Sequence, residues 1–167
     1  GSYNVGGGTA TSWVSTDALF EIGNGSFGGG RSNALTVYKN GNTTIAGTLT
    51  ESSDKRLKKD ISPITYGLET ILKLNPVEYN WIKDKGNAYK SLGLIAQEAD
   101  LVVPNIVHTD ASERKLMSVS YTELIPVLIK GMQEQQEVIK KQEATNTKQQ
   151  ETIEMLVKRL EALENKE

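Results

Sequence analysis

The chain has 167 residues, a net charge of −2 and no cysteine. The near-neutral charge predicts no nucleic-acid partner and no membrane partner, and no apolar run approaches the roughly 20 residues that cross a bilayer. The missing thiols exclude disulfides, thiolate metal sites and cysteine nucleophiles.

Composition changes twice along the chain and predicts an α+β protein with three parts. Residues 1–52 are rich in Gly, Ser, Thr and Asn and are interpreted as the C-terminal end of a β-rich fibre. Residues 53–120 are mixed in composition and are interpreted as a small α/β domain. Residues 121–167 are rich in Glu, Gln, Lys and aliphatic residues, and are interpreted as one long helix.

The first part is predicted to contain a hairpin. Asn40-Gly41 separates two runs of β-formers, residues 34–39 and 42–49, and this dipeptide favours the tight turn between antiparallel strands. An earlier strand is predicted at residues 18–22. These strands are too few and too short for an independent sheet, so they are interpreted as the last piece of a longer β-fibre. The alternative is a disordered, Gly-rich linker.

The middle part is predicted to alternate short helices and strands. Ser62 and Pro63 are residue types that favour the N-cap and the first position of a helix, which Asn75-Pro76 would end. The other predicted elements are a strand at residues 77–81, a turn at 83–87, a strand at 91–95, a short helix from Ala96 that ends before Pro104, and a strand at 115–119.

The third part has an unbroken heptad pattern, with seam positions alternately three and four residues apart. Such spacing predicts a coiled coil about 60 Å long. Four polar residues near the middle of the seam either lock the register or only weaken a stretch that frays. The heptads alone do not decide between two and three strands. The seam residues are Ile125, Leu128, Met132, Gln135, Ile139, Gln142, Asn146, Gln149, Ile153, Leu156, Leu160 and Leu163.

Four segments carry a resemblance to a known family. They are residues 52–61 (SSDKRLKKDI), 74–81 (LNPVEYNW), 93–98 (GLIAQE) and 121–130 (YTELIPVLIK). In this order they resemble the C-terminal intramolecular chaperone domain of phage endosialidases, tail fibres and neck appendages, a self-cleaving peptidase family with a Ser-Lys dyad. The resemblance extends over residues 52–167.

The resemblance implies a fold and a function for each part. The long helix would form a parallel trimeric coiled coil, so the chain would be its own partner in a homotrimer. The upstream β-fibre of the same polypeptide would be the folding client that the trimer aligns. The domain would then act once as a serine endopeptidase between Ser52 and Ser53, with Ser53 as nucleophile and Lys58 as base. The product would belong to a virion tail fibre or appendage assembled in the host cytoplasm, or else to a bacterial cell surface.

A serine hydroxyl needs a base to take its proton, and the sequence offers two candidates. His108 would form a triad with a nearby acid, but a lone histidine in a polar stretch is interpreted as a surface residue. Lysine serves as a base when burial or nearby cations lower its pKa. Lys55, Arg56 and Lys59 surround Lys58 and would supply such repulsion, and burial on trimerisation would add to it.

The spacing of the predicted dyad sets a geometric condition. Residues five apart do not face each other on a helix or on a strand. Ser53 and Lys58 are therefore expected to meet only if the segment turns, or if Lys58 comes from a neighbouring chain. Gln97 and Glu98 either line the cleavage site or a contact between protomers, or only begin the short helix, which we favour. The candidate supporting residues are Asp54, Arg56, Gln97 and Glu98.

Two other classes of function stay open from the sequence. One is a non-cleaving structural trimerisation cap of a tail fibre or surface fibre. The other is a receptor-binding tip, which would need an exposed aromatic or variable loop surface. No metal-ligand cluster is recognised, and the glycine run at residues 28–30 lacks the Lys-Ser/Thr of a phosphate loop, so no cofactor is expected.

Overall fold

The computed structural model describes residues 5–9, 11–82 and 89–165. The chain has small antiparallel sheets, short helices and one long C-terminal helix, which confirms the predicted α+β class. Two compact units are present, Gly1–Ile61 and Ser62–Glu167. The division into three parts with the boundaries given above stays a prediction.

A three-stranded antiparallel sheet lies in the first unit, with β1 at Ala18–Gly23, β2 at Asn33–Tyr38 and β3 at Thr43–Ile45. β2 and β3 form the predicted hairpin. Gly41 takes a φ of +91° in the turn, a conformation that L side chains rarely adopt. The three strands therefore form as predicted, although β3 ends earlier than the run of β-formers at residues 42–49.

The sheet leaves its apolar side chains exposed. Leu19, Phe20 and Ile22 of β1 are each about half exposed or more. Among the described residues of this unit, no hydrophobic side chain is fully buried, and Thr36 of β2 is the buried polar one. A sheet of three short strands does not supply a core by itself, so these apolar side chains need a covering surface.

Short elements and one long helix make up the second unit. The elements are α1 at Leu68–Ile71, β4 at Val77–Tyr79, β5 at Ser91–Gly93, α2 at Ala96–Asp100, β6 at Val107–Thr109, β7 at Met117–Val119 and α3 at Tyr121–Glu164. β4 pairs with β5, and β6 pairs with β7, both in antiparallel register. The predicted strands and short helix of this region are confirmed, but β6 was not predicted, and the predicted turn at residues 83–87 lies outside the described residues.

The core of the second unit lies where α3 meets the 3-10 turn at Pro104–Ile106. Val103, Ile106 and Val127 are at most 2% exposed and pack against one another. This cluster fixes the rest of the unit on one side of α3. Partly buried side chains surround it, namely Ile64, Tyr66, Ile71, Val102, Val107, Val119 and Leu124.

The first helix of this unit begins at Leu68 rather than at Pro63, so the predicted start was wrong. Gly67 occupies the N-cap position and has no side chain to offer. The capping group comes instead from α3, where Glu134 Oε2 accepts a hydrogen bond from the Leu68 N–H at 2.8 Å. A tertiary contact, and not the local pair Ser62-Pro63, therefore sets the start of α1.

Helix α3 runs over 44 residues, which corresponds to about 66 Å. Pro126 lies in its second turn and removes one backbone hydrogen bond there, yet the helix continues. The long C-terminal helix is therefore confirmed. No helix within the described ranges combines the length and the apolar character needed to cross a membrane.

The rest of the second unit does not cover the predicted seam of α3. The described residues of 62–119, here called the body, contact Val127, Gly131 and Glu134, which occupy heptad positions c, g and c. The neighbouring a and d side chains are between 40% and 73% exposed. These exposed seam side chains are Ile125, Leu128, Met132 and Ile139.

We expect Val127→Ala to lower the free energy of unfolding by roughly 2 kcal/mol, because it removes buried methyl groups and leaves a cavity. The matched control is Val138→Ala, the same change in the same helix at a side chain that is 53% exposed. That control is expected to change the free energy by less than about 0.5 kcal/mol. Chemical denaturation of both variants at equal protein concentration measures the difference, and equal losses would contradict the assigned core.

Candidate active site

A single 3-10 turn, Lys55–Leu57, lies between the two predicted catalytic residues. Asp54 is its N-cap, with an extended backbone and a carboxylate oxygen that accepts a hydrogen bond from the Arg56 N–H at 2.8 Å. Two backbone hydrogen bonds of 3.1 Å close the turn, donated by the N–H groups of Leu57 and Lys58. Aspartate favours such turns because its short side chain reaches the backbone N–H two residues on.

The turn brings the predicted nucleophile and base together. Lys58 Nζ donates a hydrogen bond to Ser53 Oγ at 2.7 Å. The turn therefore permits the contact within a single chain, which is one of the two routes that the spacing left open. Ser52, Ser53 and Lys58 are all exposed, so solvent reaches both the peptide bond and the paired side chains.

Asp54 also binds the guanidinium of Arg56. Arg56 Nη2 lies 2.6 Å from Asp54 Oδ2, and Nε lies 3.0 Å from Oδ1. The hydrogen bonds from this guanidinium, together with the one from the Arg56 N–H, hold the pKa of the Asp54 carboxyl below its usual range. The same contact raises the pKa of Arg56. Arg56 is 88% exposed at its side chain, so water screens the pair and its energetic contribution is small.

Gln97 and Glu98 lie in α2 of the second unit, and both are exposed. Glu98 Oε2 accepts a hydrogen bond from Asn75 Nδ2 at 3.2 Å. This contact joins α2 to the segment after α1 and fits the structural role that we favour. A role for Gln97 or Glu98 in cleavage stays a prediction.

His108 lies on β6, and its side chain is 61% exposed. Its Nε2 is 3.3 Å from a carboxylate oxygen of Glu123 at the start of α3. The interpretation of His108 as a surface residue is therefore confirmed. Within the described ranges, no group of three or more His, Asp or Glu side chains is arranged to hold a metal ion.

The geometric part played by Asp54 was not predicted, since the sequence indicated only a supporting residue. The signal was available in the spacing, because an aspartate two residues before Arg56 is a typical start of a capped turn. What the sequence did not reveal is that the same carboxylate binds both the backbone and the side chain of Arg56.

A family model matches the part of the chain that contains this turn. Residues 53–108 match the family model described as chaperone of endosialidase. The match confirms the resemblance to this family; it overlaps three of the four segments that carry the resemblance, and residues 121–130 lie outside it. It begins at Ser53, covers about a third of the chain, and belongs to a family that is also named as a peptidase. No curated protein matches the chain.

We expect the Asp54 carboxyl to protonate at a higher pH in Arg56→Gln than in the parent chain. The variant loses the guanidinium that holds the pKa of Asp54 down. In the parent chain, the cap made by the Asp54 carboxylate should therefore be complete above the ordinary pKa of aspartate. It should be lost as the pH falls through the lowered pKa of Asp54. Carboxyl-carbon NMR titrations in a Ser53→Ala background measure the change.

Lys59→Gln is the control for that titration, since it removes one positive charge but none of the hydrogen bonds that Asp54 accepts. We expect it to move the titration of Asp54 less than Arg56→Gln does. A larger shift in Lys59→Gln would mean that the general charge of the segment, and not the Arg56 contact, lowers the pKa.

Proposed function

We propose that this chain is an intramolecular chaperone that trimerises, aligns an upstream β-fibre and then cuts itself between Ser52 and Ser53. The observation that carries the proposal is the 2.7 Å contact between the Lys58 amine and the Ser53 hydroxyl. This pair lies within the segment that matches the chaperone-of-endosialidase family. A hydroxyl and an amine at hydrogen-bond distance are what a serine nucleophile with a lysine base requires.

The chemistry follows from the position of Ser53 directly after the bond to be cut. The neutral Lys58 amine takes the proton of Ser53 Oγ while Oγ attacks the carbonyl carbon of Ser52. The C–N bond between Ser52 and Ser53 then breaks, the Ser53 nitrogen receives that proton from Lys58, and an ester joins the two residues. Water hydrolyses the ester, which leaves a carboxylate on Ser52 and restores the hydroxyl of Ser53, whose nitrogen is already a free amine.

Assembly would control this reaction through the exclusion of water. All residues from 51 to 60 are exposed in the single chain, so water surrounds the pair. Developing charge on the attacked carbonyl is better stabilised where fixed dipoles replace bulk water. A trimer that covers this segment would therefore cut after alignment of the client and not before.

The family resemblance implies three parallel copies, and the seam of α3 is compatible with them. Its a positions mix Ile, Met, Asn and Leu, and its d positions mix Leu with Gln, unlike the β-branched and Leu pattern of dimers. The body packs against Val127, Gly131 and Glu134 and leaves the neighbouring a and d side chains of the seam exposed. The polar seam residues then serve to lock the register.

The exposed sheet of the first unit supports a fibre as the client. Leu19, Phe20 and Ile22 would be covered by neighbouring copies once the helices hold three chains in register. The corresponding location is a virion tail fibre or appendage assembled in the host cytoplasm. A non-cleaving structural cap is the alternative, and it requires the same trimer without the cut.

We expect the wild-type chain to yield fragments 1–52 and 53–167, and Ser53→Ala to stay intact because it lacks the attacking hydroxyl. The matched control is Ser52→Ala, which removes the neighbouring hydroxyl and should still be cut. Denaturing mass spectrometry distinguishes the three chains, and sedimentation of Ser53→Ala should give the mass of three copies. An intact wild type in folded trimers would leave the structural cap as the function.

Because Lys58 contacts Ser53 of its own chain, we expect cleavage in cis. Mixed trimers of Ser53→Ala and Lys58→Ala chains, formed by co-expression, should therefore stay intact. Lys59→Ala alone should still be cut, since Lys58 is retained. Mass spectrometry with a mass tag on one chain provides the readout, and cutting of the Lys58→Ala chain in mixed trimers would mean that a neighbour supplies the amine.

A further inference from the structure

The segment that holds the Ser53–Lys58 pair has no packed surface to stabilise it. Every residue from 51 to 60 is exposed, and the 3-10 turn spans three residues. Its geometry therefore depends on local hydrogen bonds. Backbone bonds from the N–H groups of Leu57 and Lys58 close the turn, and an isolated turn of this length is weak on its own.

One carboxylate adds the remaining hydrogen bonds. Asp54 Oδ1 accepts from the Arg56 N–H at 2.8 Å and from Arg56 Nε at 3.0 Å. Asp54 Oδ2 accepts from Arg56 Nη2 at 2.6 Å. The side chain thus binds the middle residue of the turn through its backbone and through its guanidinium at the same time.

From this geometry we propose that Asp54 is a positioning residue for the self-cleavage. Its carboxylate caps the Lys55–Leu57 turn and thereby sets the separation of Lys58 Nζ from Ser53 Oγ. This inference rests on the proposed function. The Asp54 side chain forms no hydrogen bond with Ser53 or Lys58, so it acts through the turn and not on the reacting atoms.

The two contacts that Asp54 makes with Arg56 are expected to differ in importance. The essential one is the cap on the Arg56 N–H, because that bond fixes the backbone of the turn. The guanidinium contact is exposed and screened by water, so it only helps to orient the carboxylate. An uncharged acceptor at position 54 should therefore replace aspartate, whereas a side chain without an acceptor should not.

Cleavage rates of two variants of the full chain test this expectation. Asp54→Ala, which loses the cap, is expected to be cut about 5 to 30 times more slowly, the range that corresponds to a lost N-cap. Asp54→Asn keeps an acceptor for the Arg56 N–H, so it should be cut within about threefold of the wild-type rate. Asp54→Asn as slow as Asp54→Ala, or Asp54→Ala as fast as the wild type, would overturn the proposal.

If the wild-type chain is not cut at all, the proposed function is refuted, but the geometry of the turn is not. A second measurement then tests the positioning role of Asp54. Nuclear Overhauser effects between the Ser53 β-protons and the Lys58 ε-protons report the separation directly in the intact chain. They are expected in the wild type and in Asp54→Asn, and expected to disappear in Asp54→Ala. Their persistence in Asp54→Ala would overturn the positioning role, whether or not cleavage occurs.

Discussion

The packing of Val127 against Val103 and Ile106 is the contact on which the second unit depends. With Ala99, these side chains are the fully buried hydrophobic residues in the described part of the chain. A core of this size offsets little of the conformational entropy that ordering the unit costs. The apolar surface that is missing from the core lies on the seam of α3 and on the sheet of the first unit, where copies of the chain would bury it in the proposed trimer.

The Ser53–Lys58 pair depends on a different kind of interaction. Its turn is closed by hydrogen bonds between residues that are near neighbours in sequence, so it forms without the core around Val127. Local structure brings the two side chains into contact, which would lower the entropy cost of the proposed reaction. Association of copies would then contribute the dry surroundings that an exposed segment lacks. In the proposed function, this division would let a reaction within one chain wait for several chains.

Features set by short-range chemistry could be predicted from the sequence, and features set by contacts between distant residues could not. The Asn40-Gly41 hairpin and the long helix follow from turn preference and periodicity. The start of α1 does not, because its cap is Glu134, which is 66 residues away in sequence. β6 was missed because it is only three residues long and is recognised as a strand through its pairing with β7. At the site, Ser53 and Lys58 were predicted from the sequence. Whether they meet within one chain or between two chains was left open.

The position of the predicted cut also agrees with its proposed purpose. The last backbone hydrogen bond that the chain donates to the sheet comes from the Ala46 N–H, to the carbonyl of Ala34. Residues 47–52 form no strand and are exposed, so a cut after Ser52 removes no hydrogen bond from the sheet. The cut would, however, separate the sheet from the helix that is proposed to set its register. A fibre released in this way could not use the helix again to refold, so its persistence would depend on the barrier to unfolding.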